Sequence, residues 1–239
     1  MPNPQAFTMS THFEAVLTQP ALWIACAIAY LLGSIPFGLV FAKWIKGIDI
    51  RQIGSGNIGA SNAGRALGRR WAIAVFFCDF LKGCLPVLAI RFVPGIDPAH
   101  VPMMQLFVGT AAVLGHCYSI YLKFQGGKAV ATGCGAIVAV DWTVFVAGGI
   151  VWLITRRVTR YNGLASILMS VTWPIAAWLR PDIGSLHRNA PEIVLGTALL
   201  ALLILVRHRS NIGRMLAGTE PRAGEKVSAA PSASARTHG

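Results

Sequence analysis

The hydrophobic positions of this chain gather in long runs, at 21–42, 71–93, 102–122, 130–155, 163–179 and 193–206, with most of the charge in the stretches between them. Apolar runs of about 20 residues predict helices that cross a bilayer, because a helix closes its backbone hydrogen bonds internally. The run 130–155 could form one helix, but it contains Gly133, Gly135 and the pair Asp141 and Trp142, where it can break.

Charge decides between the two versions. Six basic residues lie within 43–70, then come Lys123 and Lys128, then Arg156, Arg157 and Arg160, then six from Arg207 onward, together 17 of 21. All can share one side if the chain crosses between successive groups, and the positive-inside rule makes that side the cytoplasm. The other stretches hold three basic residues (Arg91, Arg180, Arg188) against five acids (Glu14, Asp97, Asp141, Asp182, Glu192). Kept whole, 130–155 gives six spans and puts either 156–160 or the basic C-terminal stretch outside. Broken in two, it predicts an all-α, polytopic membrane helical bundle of seven membrane segments, two of them short, with the N-terminus outside and the C-terminus cytoplasmic. Each short segment has about half of the ~20 residues of a full crossing, so it needs shielding by neighbours or a tilt in a thinned region.

Composition agrees. The chain is 54% hydrophobic and 13% charged, where a soluble domain carries roughly a quarter charged residues; disordered and collagen-like classes are excluded. A net charge of +12 spread between apolar runs does not make a nucleic-acid surface. The five cysteines lie in or beside apolar runs with no C-x-x-C pair, which argues against zinc and a disulfide framework. The expected organisation is an outer segment 1–20 that is not a cleaved signal, a membrane domain 21–222 and a disordered cytoplasmic tail 223–239 rich in Ala and Ser.

Three polar clusters could carry chemistry. The loop 46–70 is long for a connection and holds Gly54, Ser55, Gly56, Asn57, Asn62 and Arg65. Glycines let N–H groups turn inward around an anion, hydroxyl and amide groups add donors, and Arg65 offers a planar fork for phosphate. As a solvated turn with Arg65 serving topology, the loop would need no ligand. The second cluster, Gly126, Gly127, Lys128 and Thr132, sits where the third run ends; it is no Walker loop, because Ala129 follows the lysine. An interfacial lysine on a polar turn is the plain alternative. After the last run, His208, Asn211 and Arg214 recur every three residues, followed by Gly218 and Glu220. Within the second run, Asp79 and Lys82 form an i,i+3 pair, read as support for the site. His116 and Tyr118 are polar enough to line a site or to be satisfied inside. There is no G-x-S-x-G elbow, no His-x4-Asp arrangement, and no acidic cluster for magnesium, so no metal or cofactor is expected.

Taken in order, 33–38 (GSIPFG), the loop 55–65, 79–83 (DFLKG), Gly126 through Thr132 and 208–212 (HRSNI) resemble one family, the bacterial acyl-phosphate:glycerol-3-phosphate acyltransferases, over about 30–220. The resemblance implies seven membrane helices with an outside N-terminus, in agreement with the charge argument, and three cytoplasmic motifs around one site. It implies transfer of an acyl group from acyl phosphate, not acyl-CoA, to the 1-hydroxyl of glycerol 3-phosphate, giving lysophosphatidic acid and phosphate. Its partners would be those two substrates, membrane lipids and an upstream enzyme that forms the acyl phosphate, in the inner membrane of a bacterium. Ser55, Asn57, Asn62 and Arg65 match the first motif, Gly127, Lys128 and Thr132 the second, and His208, Asn211 and Glu220 the third. The resemblance and the residue reading together make Ser55, Arg65, Lys128, His208 and Asn211 the catalytic set, with Asn57, Asn62, Gly127, Thr132 and Glu220, and the loop glycines Gly54, Gly56 and Gly126, around the substrates. The family usually has Gly-Gly-Lys-Gly where this chain has Ala129, so a position needing φ > 0 or close approach would be altered. The base that takes the hydroxyl proton is either His208 or a phosphate oxygen of the acceptor. An anion transporter and a non-catalytic scaffold remain the readings from other classes.

Overall fold

The computed structural model describes residues 13–180 and 191–223. It is helical throughout, with no strand among the described residues. In chain order the helices are α1 (Pro20–Ser34), α2 (Phe37–Lys46), α3 (Ala60–Leu67), α4 (Arg69–Ala89), α5 (Val101–Cys117), α6 (Val130–Val140), α7 (Trp142–Thr159), α8 (Asn162–Leu179), α9 (Pro191–Arg207) and α10 (Arg209–Leu216). By length and hydropathy four stretches can cross a membrane: Pro20–Lys46, Arg69–Phe92, Pro98–Leu122 and Asn162–Leu179. α9 and α10 make a fifth only as a pair bent by 54°.

The run 130–155 breaks at Asp141, one of the expected places, but its halves are unequal. α6 has 11 residues, whereas α7 continues beyond the run to Thr159 and has 18, so only the first is short. Arg156 and Arg157 occupy the last turn of α7, where positive charge suits the carbonyl end of a helix. The break has a local cause. Asp141 caps α7, its carboxylate accepting from Thr143 N (2.9 Å) and Val144 N (3.3 Å) and from the Thr143 hydroxyl (2.6 Å). The open end of α6 is met by Arg91, which donates to the Ala139 carbonyl at 2.9 Å, while Arg180 lies 3.3 Å from Asp141. The Ile137 and Ala139 carbonyls at the end of α6 are thus satisfied inside the bundle.

Close packing aligns the polar ends. Reciprocal glycines bring α4 and α6 together: a Cβ on Gly83 would lie 2.1 Å from the Thr132 carbonyl oxygen, and one on Gly135 would lie 2.0 Å from that of Phe80. Trp173 of α8, fully buried, fills the space left by Gly133 and Gly148. Large apolar side chains such as Trp23, Phe77 and Leu199 point outward, the inverse of a water-soluble surface.

Of the expected organisation, 1–12 and 224–239 lie outside the described residues, as does 181–190 with Asp182 and Arg188. Ala223, placed in the tail by sequence, is paired to Arg160: its N–H donates to the Arg160 carbonyl at 2.8 Å and its own carbonyl accepts from the Arg160 guanidinium at 3.0 Å.

Candidate active site

The first cluster is a wired loop, with Asn62 at its centre. Asn62 is buried on the first turn of α3; its Oδ1 accepts from Ser55 N at 3.0 Å, and its amide donates to the carbonyls of Ile50, Ile53 and Asn57, each at 2.9 Å. Gly54 and Gly56 both have positive φ, of 59° and 67°, which lets the chain turn tightly around that amide. Asn57 Oδ1 accepts from Gly59 N at 2.9 Å, and Gly56 N donates to the Ile53 carbonyl at 3.0 Å. The N–H groups of Ser55, Gly56 and Gly59 are thus spent within the loop. The backbone nest expected from composition is therefore not open at these positions, while the side chains of Ser55 and Arg65 line the cavity.

The second cluster is pinned from two sides. Gly126 N and Gly127 N donate to the carbonyls of Cys117 (3.1 Å) and His116 (2.9 Å), and their own carbonyls accept from Arg207, at 2.9 and 3.0 Å. The glycines serve close approach, since a Cβ would sit 2.0 Å from the His116 carbonyl oxygen at Gly126 and 2.2 Å from His116 Nε2 at Gly127. His116 also faces Thr132, with Nδ1 3.2 Å from Oγ1, and Asp79, 3.7 Å from Oδ1. Lys82 Nζ lies 2.7 Å from Asp79 and donates to the Ile35 carbonyl at 2.7 Å. Asp79 and Lys82 thereby link the end of α1, at Ile35, to His116 of α5, on which the glycine loop packs. Lys128 projects from this platform, and Ala129 behind it turns left-handed, at φ 55° and ψ 22°.

In the third cluster, Lys128 donates to Asn211 Oδ1 in a short contact. Asn211 Nδ2 donates to Glu220 at 2.6 Å, and Arg214 Nε binds the other oxygen of that carboxylate at 2.7 Å. Burial, with Arg214, Arg207 and Arg65 nearby, pulls Lys128 down to about 8. His208, at the bend between α9 and α10, gives its Nδ1–H to the Ile204 carbonyl at 2.8 Å, which leaves Nε2 as an acceptor. Burial holds its pKa down at about 4 despite that bond.

One cavity of about 550 Å³ unites the clusters. Ser55, Asn57, Asn62 and Arg65 line it from the first, Lys128 from the second, and His208, Asn211, Arg214 and Glu220 from the third. Asp79 and His116 reach it from below. Gly54, Gly56, Gly126, Gly127, Thr132 and Lys82 do not line it; they shape or brace those that do. Beyond the polar end the cavity continues as an apolar groove between α4, α7 and α8, with Phe76, Phe145, Ile150, Leu153 and Met169 on its walls. Ile150 and Leu153 are themselves exposed, so the groove opens toward the lipid-facing side.

Sequence reasoning missed this groove, and it missed Arg207, which was counted only as topological charge. Its position directly before His208 was the available signal. His116 was read as polar enough to line a site or to be satisfied inside; it lines the cavity, and its packing against Gly126 and Gly127 has no trace in sequence spacing.

Fold and site together define a class: helical, membrane-type proteins with a cation-lined cavity that runs into an apolar groove. Within it, this chain belongs to the glycerol-3-phosphate acyltransferase family, whose sequence model matches residues 23–218. The glycerol-3-phosphate acyltransferase of Dinoroseobacter shibae is 42% identical over 210 residues, covering 87% of this chain and 97% of the relative. That of Aquifex aeolicus is 44% identical over 194 residues, 81% and 95%. The crystal structure of PlsY (YgiH), an integral membrane glycerol 3-phosphate acyltransferase, superposes in its glycerol 3-phosphate form with a TM-score of 0.76 at 40% identity, over 85% of this chain and 96% of that one. Its lysophosphatidic acid form gives 0.74 at 39%.

Proposed function

We propose that this chain transfers an acyl group from an acyl phosphate to the 1-hydroxyl of sn-glycerol 3-phosphate, giving 1-acylglycerol 3-phosphate and inorganic phosphate, at the cytoplasmic face of a bacterial inner membrane. The observation that carries the reading is the single cavity with a cationic end and an apolar end. Two phosphates suit the first and an acyl chain the second. The PlsY structures with glycerol 3-phosphate and with lysophosphatidic acid bind molecules of this chemistry.

In this reading Arg65 and Lys128 hold the phosphates, Ser55 and Asn57 add short donors, and the Asn211–Glu220–Arg214 chain fixes Lys128 in place. An acyl phosphate is already activated, so the site needs orientation and charge stabilisation, with no nucleophile of its own. The acceptor hydroxyl oxygen attacks the acyl carbonyl carbon, the bond from that carbon to the phosphate oxygen breaks, and inorganic phosphate leaves with the electron pair. His208 Nε2, an acceptor by its bond to Ile204, can receive the hydroxyl hydrogen and aim the oxygen. A phosphate monoester, with a second pKa near 6, is a better base than an imidazole held at about 4, so the proton ends on a phosphate oxygen. Acyl-CoA is not the donor here, because the cations that receive the phosphate are what drive its departure.

The same reading counts α1, α4, α5, α6, α7, α8 and α9 as seven membrane segments, N-terminus outside. The 11-residue α6 is supported in this by its burial among its neighbours, which spares so short a helix from lipid.

Phosphate release is the test. The purified chain in lipid, given glycerol 3-phosphate with palmitoyl phosphate or palmitoyl-CoA, is expected to react with the first only. Ser55→Ala and Lys128→Ala should each lose at least tenfold, the ~1.4 kcal/mol scale of one charge-assisted contact. Product from palmitoyl-CoA would overturn the donor, and absence of product from either would overturn the reaction.

A further inference from the structure

We propose that a second cleft, beside the active-site cavity and sharing no lining residue with it, binds the phosphate of an anionic lipid. The cleft measures about 610 Å³. Its cations come from three separate segments: Lys43 from the last turn of α2, Arg51 from the short helical turn Ile50–Gln52, and Lys123 from the loop after α5. Its other wall is apolar, made by Pro36, Leu39 and Val40.

The site is built: one of its three cations, Arg51, is paired to Asp49, which also lies near Lys43, and the net charge stays positive. Asp49 takes Arg51 in a two-pronged pair, 3.0 Å from Nε to Oδ1 and 2.6 Å from Nη2 to Oδ2, which orients the guanidinium. Among the described residues neither Lys43 nor Lys123 makes an ion pair or a side-chain hydrogen bond. Lys123 stands on a fixed turn: Lys123 and Phe124 are both left-handed, at φ 50° and 63°, and Phe124 N and Gln125 N donate to the carbonyls of Ser119 (2.8 Å) and Leu122 (3.0 Å). Residues in such backbone are costly and persist where something holds them.

The two walls name the ligand. Cations at a membrane surface attract anionic lipid heads, and the apolar wall continues onto Val40, 46% exposed, and Tyr121, 56% exposed, on the lipid-facing side. A phosphate with an acyl chain satisfies both walls, whereas a free soluble anion satisfies one. One loop divides the two sites. Lys123 and Gln125 face the cleft, Lys128 and Ala129 face the cavity, and the pinned Gly126 and Gly127 lie between. The phosphate could be borne by a bilayer phospholipid or by lysophosphatidic acid; only the second source rests on the proposed reaction.

Native mass spectrometry of the intact chain from a neutral detergent separates these, with phosphatidylglycerol, lysophosphatidic acid and phosphatidylcholine added in turn. The variant is K43Q together with K123Q, compared with the K43R and K123R pair. The neutral pair should weaken anionic-lipid binding about 30-fold, from two lysines at roughly 1 kcal/mol each. The arginine pair should restore it, with turnover and Tm unchanged in both. An effect on phosphatidylglycerol identifies bilayer lipid, and an effect on lysophosphatidic acid alone identifies product. Lys128→Ala should remove only the cavity's own copy of the latter. Equal binding of both anionic lipids to parent and neutral variant, or phosphatidylcholine binding as tightly as they do, would overturn the site. An inactive parent that still discriminates in this way would sink the proposed reaction and leave the cleft standing.

Discussion

At Ala129 a methyl group occupies backbone that L-residues rarely adopt, at φ 55°, and it is 99% shielded from solvent, with 1% relative exposure. The left-handed conformation costs a non-glycine residue about 1–2 kcal/mol, and glycine returns roughly 0.4–1 kcal/mol of that through the unfolded chain. Ala129→Gly should therefore raise Tm slightly or leave it unchanged while keeping activity, and Ala129→Val should lower Tm by several degrees. A thermal shift in detergent measures both; a lower Tm for the glycine variant would refute the left-handed geometry. Titration gives a second prediction. Lys128 is held at about 8 by burial and three arginines, below the ordinary lysine value near 10.4. The unfolded chain then binds more protons between those values, so this residue's contribution to stability rises with pH across that window. Its cationic form fades above pH 8, so kcat/KM for glycerol 3-phosphate should fall there. Lys128→Arg should abolish that alkaline limb, and an unchanged limb would move it to another group. For His208 the window is acidic: its folded value of about 4 lies below the usual 6.5, so stability falls as pH drops through that range.

Among the elements, the break at Asp141 shows what a sequence can and cannot tell. An acid inside an apolar run is costly in lipid unless it is capped or paired, and charge parity demanded a break nearby; both signals were local or countable. That α7 would run to Thr159 was not legible, because Arg156 and Arg157 read equally well as a loop and as a helix end. The first cluster was legible as polar, but its backbone N–H groups were assigned to a ligand, and only packing shows those of Ser55, Gly56 and Gly59 spent on Asn62, Ile53 and Asn57. Arg207 was invisible because its partners, the carbonyls of Gly126 and Gly127, lie 80 residues away in sequence and have no side chains. Asp141→Ala tests the break itself. It removes a helix cap, worth about 0.5–2 kcal/mol, and takes the carboxylate from beside buried Arg180, a change on the scale of 3–5 kcal/mol for a broken buried pair. A loss of Tm far larger than that of a lipid-facing control such as Leu199→Ala is expected in a detergent melt. Equal losses would mean that α6 and α7 are not held by this residue.

For the molecule as a whole, Arg65, Lys128, Arg207 and Arg214, from three of the basic groups, lie close enough to act on one another's charge. Lys46 donates to the Ala66 carbonyl, Lys128 meets Asn211, Arg207 holds Gly126 and Gly127, and Arg160 pairs with Ala223. Asp97, Arg91 and Asp141 belong to connections or breaks at other places in the chain, and none of them joins that cluster. In the proposed arrangement of seven crossings the basic groups lie on one side, as the positive-inside rule favours. It also puts the cavity where a soluble phosphorylated acceptor can reach it while the groove lies open to lipid. Orientation can be read with single cysteines in a chain whose five native ones are replaced. Gln52→Cys, exposed near the first loop, should react with a membrane-impermeant maleimide only in inverted vesicles, and Ala99→Cys only from the outside of intact cells. Labelling in the reverse pattern would place the cavity on the outer face and remove the basis for steering a cytoplasmic phosphate into it. Both cysteines labelled from one side would mean an even number of crossings between them, and α4 would then not span.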